Sequence, residues 1–93
     1  MGIYRITTTQ RANNDIAAHK KSGQKIVMEK IDRIFKELQL HPKVGIGKPK
    51  KLKNDPLERW SRDIDKKNRM TYQIKETEVI VHVLSAKGHY DDK

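Results

Sequence analysis

Cysteine is absent from the 93-residue sequence, which excludes disulfides, thiolate metal sites and cysteine nucleophiles. No apolar run approaches the roughly 20 residues that a membrane-spanning helix needs. The first residues also lack the apolar region of a signal peptide. A secreted protein of this size usually depends on disulfides for its stability, so we expect a protein of the reducing cytoplasm.

Acidic residues are outnumbered, because 12 Asp and Glu stand against 21 Lys and Arg and leave a net charge of +9. Residues 43–69 hold ten basic and four acidic side chains, so this stretch carries most of the excess. Such a surface is either merely solvated or binds a polyanion such as nucleic acid or an acidic protein. Trp60 and Tyr72 lie near it and would either stack on bases or belong to the core.

The length fits one domain over residues 1–93. The pattern predicts a strand at residues 3–7 and then a capping box at Thr7–Gln10, from which a helix would run to about residue 22. Residues 24–41 predict a second helix, which Pro42 ends. Its apolar stripe follows helical spacing and consists of Val27, Ile31, Ile34 and Leu38.

The second half reads as strands. Alternating residues predict strands at 60–64, 70–74 and 78–84, with a short edge strand at 50–53 and turns at 65–68 and 75–77. The order is β-α-α-β-β-β. It predicts an α+β fold in which a helical hairpin packs on one face of a mainly antiparallel sheet.

The four histidines do not predict a metal site. His19 is expected on the exposed part of the first helix and His41 at the end of the second. His82 is expected to point from its strand opposite Val81 and Val83. These positions share no spacing typical of metal ligands, so we expect neither a metal nor another cofactor.

Four blocks in order resemble the YoeB/Txe toxins, a branch of the RelE superfamily of bacterial toxin–antitoxin systems. The blocks are Gly45-Ile46-Gly47-Lys48-Pro49 with Leu52-Lys53, Trp60-Ser61-Arg62 with Ile64, Arg69 with Tyr72, and Ser85-Ala86-Lys87-Gly88-His89-Tyr90. They extend from about residue 41 to residue 90. The resemblance implies a RelE-like fold of the microbial ribonuclease type, in which a twisted sheet carries the helical hairpin.

The resemblance also implies a toxin that cleaves mRNA in the A site of the small ribosomal subunit and is neutralised by a cognate antitoxin. DNA would be contacted only through the antitoxin complex. Cleavage would use the 2′-hydroxyl of the RNA as nucleophile and leave a 2′,3′-cyclic phosphate. That chemistry needs a base, a cation for the phosphoryl oxygens and an acid for the leaving 5′ oxygen. The alternative is a family member that binds RNA, ribosome or antitoxin without efficient cleavage.

The family's catalytic pattern carries over to named positions. Arg69 matches the phosphate-stabilising arginine, and its planar fork suits phosphate. His89 matches the general acid, because imidazole can supply a proton near neutral pH. Tyr90 would pack against the site or hydrogen-bond the phosphate.

Two positions depart from the family pattern. Lys50 stands where a glutamate is the candidate general base, and Asp63 stands where an arginine faces RNA. If their strands are neighbours, the two could form an ion pair in reversed orientation. The base could then be Lys50, as in a lysine-rich branch of the superfamily, or Asp63, or there could be no efficient base. Lys50 is preferred, since neighbouring positive charges favour loss of its proton.

The remaining RNA contacts are predicted partly from the resemblance, since Lys53 and Arg62 match family positions, and partly from local charge, as at Lys51. Lys48, Lys51, Lys53 and Arg62 are the candidates, together with Asp63. Trp60 is assigned to the scaffold rather than to RNA. Gly45 and Gly47 are expected to permit the backbone shape of their loop.

Overall fold

The structure is a computed structural model that describes residues 3–88. Within them the chain forms β1 (Arg5–Thr8), α1 (Gln10–Lys21), α2 (Lys25–Leu40), β2 (Lys50–Lys51), β3 (Trp60–Asp63), β4 (Arg69–Lys75) and β5 (Ile80–Ser85). The sheet order is β1-β5-β4-β3-β2. Only the β1–β5 pair is parallel among these strands. The predicted α+β order is confirmed, and the short edge strand β2 completes a sheet of five.

Helix α1 begins at a different cap from the predicted one. The Thr9 side chain accepts a hydrogen bond from the backbone N–H of Ala12 (3.0 Å). Thr7 cannot serve as the cap because it belongs to β1, where it pairs with His82. The helix therefore starts two residues later than a capping box at Thr7 requires.

Helix α2 confirms its predicted stripe. Its four apolar positions are buried, with exposures between 0% and 6%. They pack on the sheet because the same face of the helix repeats every three to four residues. The sheet side of this core consists of Met70, Tyr72, Val81 and Val83, each 0% exposed.

Strand β5 starts two residues later than predicted. Val79 adopts a left-handed backbone conformation (φ 56°), and the N–H groups of Glu78 and Val79 donate to the carbonyls of Lys75 and Glu76. These are turn bonds, so the turn extends through Val79 before pairing with β4 begins at Ile80.

The sheet has two chemically different faces, because neighbouring side chains on a strand alternate in direction. Met70 and Tyr72 point to the helices and join the core. On the other face, Lys50 pairs with Ser61, Ser61 with Thr71, and Asp63 with Arg69. We call the side defined by these five residues the polar face. No helix within residues 3–88 has the length and apolarity to cross a membrane.

Candidate active site

Arg69 and Asp63 form an ion pair on the polar face. They occupy directly paired positions at the start of β4 and the end of β3. Arg69 Nε donates to Asp63 Oδ1 at 3.0 Å, and the side chains are 29% and 40% exposed. The pair is thus accessible to a ligand from solvent.

The predicted ion pair between Lys50 and Asp63 is wrong. The strand register places Lys50 opposite Ser61, and the Asp63 carboxylate contacts Arg69 instead. No salt bridge joins Lys50 to another residue of the described range. Lys50 is exposed on the same face as Asp63. Its partner Ser61 lies two residues before Asp63 on β3.

The segment after β5 returns to the start of β4. The backbone N–H of Arg69 donates to the Gly88 carbonyl at 3.0 Å. The Gly88 N–H donates to Asn68 Oδ1 at 2.9 Å. Arg69 therefore lies beside the residue that precedes His89 in sequence. His89 and Tyr90 themselves are outside the described residues.

A row of three hydroxyl side chains runs across the polar face from β3 to β5. Ser61, Thr71 and Ser85 occupy paired positions on β3, β4 and β5, and they are 3%, 2% and 9% exposed. Thr71 and Ser85 hydrogen-bond each other, next to an irregularity in the β4–β5 register. The row forms a polar, well-packed floor beside the Arg69–Asp63 pair.

The predicted RNA-contacting lysines are exposed but do not share one face. Lys48, Lys51 and Lys53 are solvent-accessible. Lys51 pairs with Trp60 on the helix side of the sheet, and its ammonium lies 3.4 Å from Glu58. Of the β2 lysines, Lys50 belongs to the polar face and Lys51 does not.

An open cleft of about 450 Å³ runs along β2 and the turn after it. Its lining residues are Lys50, Lys51, Leu52, Lys53, Asn54, Asp55 and Arg59. The cleft is basic and continuous with the exposed lysines, so it suits an extended polyanion.

Arg59 was not predicted to have a role in the site. Arg59 Nε and Nη2 donate to the two carboxylate oxygens of Asp55 at 2.9 and 2.8 Å. These bonds, with the Arg59 backbone N–H, lower the pKa of Asp55 to about 2. The signal in the sequence was an aspartate four residues before an arginine within the basic stretch. Neither residue could be placed in the cleft without the turn.

Arg62 is a scaffold residue, and its prediction as an RNA contact is wrong. The side chain is 0% exposed. Its guanidinium donates to the Glu37 carboxylate at 2.7 Å and to the Tyr72 hydroxyl at 3.1 Å. The other bonds go to three carbonyls of the loop after α2, those of His41, Val44 and Ile46. A guanidinium enclosed in this way has no surface left for a phosphate.

The groups around Arg62 have shifted pKa values. Burial opposes ionisation of Glu37, but hydrogen bonds from the Ile46 N–H and from Arg62 outweigh it and lower the pKa of that carboxyl. Burial raises the pKa of the Tyr72 phenol, whose hydroxyl donates to the Pro42 carbonyl at 2.8 Å. Arg62 therefore joins β3, α2 and the loop through charged and neutral partners.

Two glycines allow the loop to wrap Arg62. Gly45 (φ 129°) and Gly47 (φ 82°) have left-handed backbones. A Cβ at Gly45 would collide with the Glu37 carboxylate, and one at Gly47 would lie 2.7 Å from the Asp63 carbonyl oxygen. The prediction that these glycines permit the loop's shape is confirmed, with a steric reason that the sequence did not contain.

Of the remaining predictions for Trp60, His19 and His82, two are confirmed and one is wrong. Trp60 packs against the core, so its assignment to the scaffold is confirmed. His19 is 4% exposed, so its expected exposure is wrong. His82 points away from the core as expected and lies 2.6 Å from Thr7 Oγ1 through its Nδ1. Within residues 3–88 no three acidic or histidine side chains cluster closely enough to hold a metal ion.

The fold, two helices packed on a five-stranded mixed sheet, is that of YoeB- and RelE-type toxins. A solved YoeB/ParE toxin from Agrobacterium tumefaciens superposes with a TM-score of 0.84 at 26% identity, over 92% of this chain and 99% of that one. A chain of the heterotetrameric YoeB–YefM toxin–antitoxin complex from Staphylococcus aureus gives 0.77 at 29% identity, over 94% and 98%. Toxin YoeB of Streptomyces coelicolor is 31% identical over 86 residues, covering 92% of this chain and 99% of that protein.

A family described as the YoeB-like toxin of bacterial type II toxin–antitoxin systems matches residues 8–90. The chain belongs to this family. The resemblance seen in its four sequence blocks is thereby confirmed.

Proposed function

We propose that the protein is an endoribonuclease toxin that cleaves mRNA bound in the A site of the bacterial ribosome. The observation that carries the proposal is the hydrogen bond from the Arg69 N–H to the Gly88 carbonyl (3.0 Å). Gly88 precedes His89 in sequence, so the carbonyl that Arg69 binds belongs to the peptide bond that joins Gly88 to His89. Arg69 and His89 are the proposed cation and acid, two of the three groups that the phosphate chemistry requires.

The reaction is an internal displacement at phosphorus. The 2′-oxygen of the RNA loses its proton and bonds to the adjacent phosphorus, while the bond from phosphorus to the 5′ oxygen breaks. Arg69 stabilises the charge on the phosphoryl oxygens. His89 donates its proton to the departing 5′ oxygen. Tyr90 hydrogen-bonds the phosphate. The products are a 2′,3′-cyclic phosphate and a 5′-hydroxyl, and every transferred proton belongs to RNA or protein, so no metal is needed.

Lys50 is proposed as the base that takes the 2′ proton. It is exposed on the polar face, whereas the Asp63 carboxylate is engaged with Arg69. Lys48 and Lys53 add positive charge nearby in sequence. Their positive charges would also attract the phosphates of the mRNA backbone along the cleft beside β2.

An acidic antitoxin is the second proposed partner. The related Staphylococcus aureus toxin is solved in a complex with YefM, and a net charge of +9 favours an acidic polypeptide that folds onto the surface. The present protein, its mRNA target and its antitoxin would all be located in the bacterial cytoplasm. DNA would be contacted through the antitoxin.

The test uses the full-length protein with ribosomes carrying a defined mRNA. The wild type should release fragments with cyclic-phosphate and 5′-hydroxyl ends, also in the presence of a chelator. His89→Gln and Arg69→Gln should each lower the cleavage rate about 100-fold or more. Lys36→Gln, an exposed charge change on α2, is the matched control and should cleave normally.

Other outcomes separate the alternatives. Ribosome or antitoxin binding without any cut ends would identify a family member that binds without catalysis. Fragments with 5′-phosphate ends would refute the internal displacement. Cleavage of free RNA at the ribosomal rate would refute dependence on the ribosome.

A further inference from the structure

Helix α1 holds the backbone of Ala86 through two side chains one helical turn apart. The Ala86 N–H donates to Asp15 Oδ2 at 2.9 Å. His19 Nε2 lies 2.9 Å from the Ala86 carbonyl oxygen. Because a carbonyl oxygen only accepts, His19 must carry a proton on Nε2. Both polar groups of one residue are thus bound by side chains of a single helix.

The contact is buried rather than incidental. His19 is 4% exposed and Ala86 is 0% exposed, while the Asp15 side chain is 13% exposed. Burying an imidazole and a carboxylate is unfavourable unless they are hydrogen-bonded. Nothing in the catalytic scheme uses either side chain, so their placement needs another explanation.

Ala86 begins a short segment that is held at both ends. Strand β5 ends at Ser85, and no ladder pair follows it within residues 3–88. Two residues on, Gly88 bonds to Asn68 and to the N–H of Arg69. Residues 86–88 are therefore connected to α1 on one side and to the start of β4 on the other, immediately before His89.

We propose that Asp15 and His19 are positioning residues for the general acid. They hold the chain at Ala86 so that the segment reaches β4 at Gly88, the residue that precedes His89 in sequence. Without them the backbone of Ala86 would lack two hydrogen-bond partners, and residues 86–88 would open more often. This inference rests on the proposed function and deepens it, because it assigns α1 a part in the reaction.

The first experiment compares matched substitutions. Asp15→Asn keeps an acceptor and His19→Gln keeps an N–H donor, whereas Asp15→Leu and His19→Leu remove them. A misplacement of about 1 Å can cost about 100-fold in rate. We expect the leucine variants to lower kcat on ribosomes 10- to 100-fold with KM within twofold. The Asn and Gln variants should stay within a few-fold of wild type.

Leucine itself needs a control on the same helix. Ala17 is exposed on α1, so Ala17→Leu should leave kcat unchanged. The double variant Asp15→Leu with His19→Leu should cost little more than the worse single one, because both bonds hold the same residue. Rates are normalised to the folded fraction of each variant. If Asp15→Leu fails to fold, Asp15→Ala takes its place.

The second experiment does not depend on catalysis. Amide hydrogen exchange by NMR should show Ala86 and Gly88 protected in the wild type and exchanging at least tenfold faster in the leucine variants. If the wild type cleaves no RNA, the proposed function fails while this measurement still decides whether α1 holds the segment. Protection that persists in the leucine variants, or kcat that stays at the wild-type value in their folded fraction, would overturn the positioning role.

Discussion

The carboxylate of Asp63 lies 3.0 Å from Nε of Arg69, across the paired ends of β3 and β4. The guanidinium proposed to receive the scissile phosphate therefore already has an anionic neighbour. A partly exposed ion pair contributes only about 0–1 kcal/mol. Under the proposed function a phosphate would share or displace this contact, and Asp63 would set how strongly Arg69 binds it.

Replacing Asp63 by Asn tests that relationship. The loss of negative charge should strengthen binding of the RNA phosphate, so KM should fall a few-fold while kcat changes less than threefold. The free energy of unfolding should change by less than about 1 kcal/mol, measured by urea denaturation. A fall in kcat of about 100-fold or more would instead make Asp63 the general base.

Lys50 can be tested by exchanging one base for another. Lys50→Gln should lower kcat about 100-fold or more, because no group then accepts the 2′ proton. Lys50→Glu supplies a base with an ordinary pKa of about 4.3, so it should regain activity and move the rising limb of the pH–rate profile to lower pH. An unchanged profile in both variants would remove Lys50 from the mechanism.

Arg62 is predicted to act on stability and not on RNA. Arg62→Leu removes the Arg62 donor from the Glu37 carboxylate and from several carbonyls, which should cost about 3 kcal/mol or more. Arg62→Lys should also be destabilising, since an ammonium cannot reproduce the planar fork. Urea denaturation measures both effects. Wild-type stability combined with weakened RNA binding would restore Arg62 as a contact residue.

Two glycines with similar backbones give a matched pair for the loop. Gly23 (φ 70°) has open space where a Cβ would be, whereas at Gly47 the Cβ would lie 2.7 Å from the Asp63 carbonyl oxygen. Gly23→Ala should cost about 1 kcal/mol from backbone strain alone. Gly47→Ala adds a backbone collision and should cost at least about 2 kcal/mol. Equal losses on thermal unfolding would contradict the close approach.

Stability should fall in acid in part through Asp55. Its pKa of about 2 in the folded protein lies below the ordinary value of about 3.9. A carboxyl whose pKa is lowered by folding stabilises the fold at pH values above its unfolded-state pKa. That contribution is lost as the pH falls from about 4 to about 2. Chemical unfolding over this range should show a shallower decline for Asp55→Asn than for the wild type. An identical slope would mean that the Asp55–Arg59 contact does not form in solution.

The local elements followed from the sequence. The stripe of α2 was readable because helical spacing alone puts its apolar positions on one side. The strands after residue 60 were readable from their alternation. The four motif blocks gave the family, and with it the identities of Arg69 and His89 as candidates.

The tertiary structure decided what each polar side chain does. Arg62 and Asp63 are adjacent in one strand, so one must face the helices and the other the polar face. Only the packing of the loop after α2, whose carbonyls surround Arg62, decided which. His19 was assigned to solvent because a histidine on a weakly apolar helix carries no sign of its partner. That partner is the backbone of Ala86, 67 residues away, and a backbone carbonyl has no residue type from which such a contact could be read.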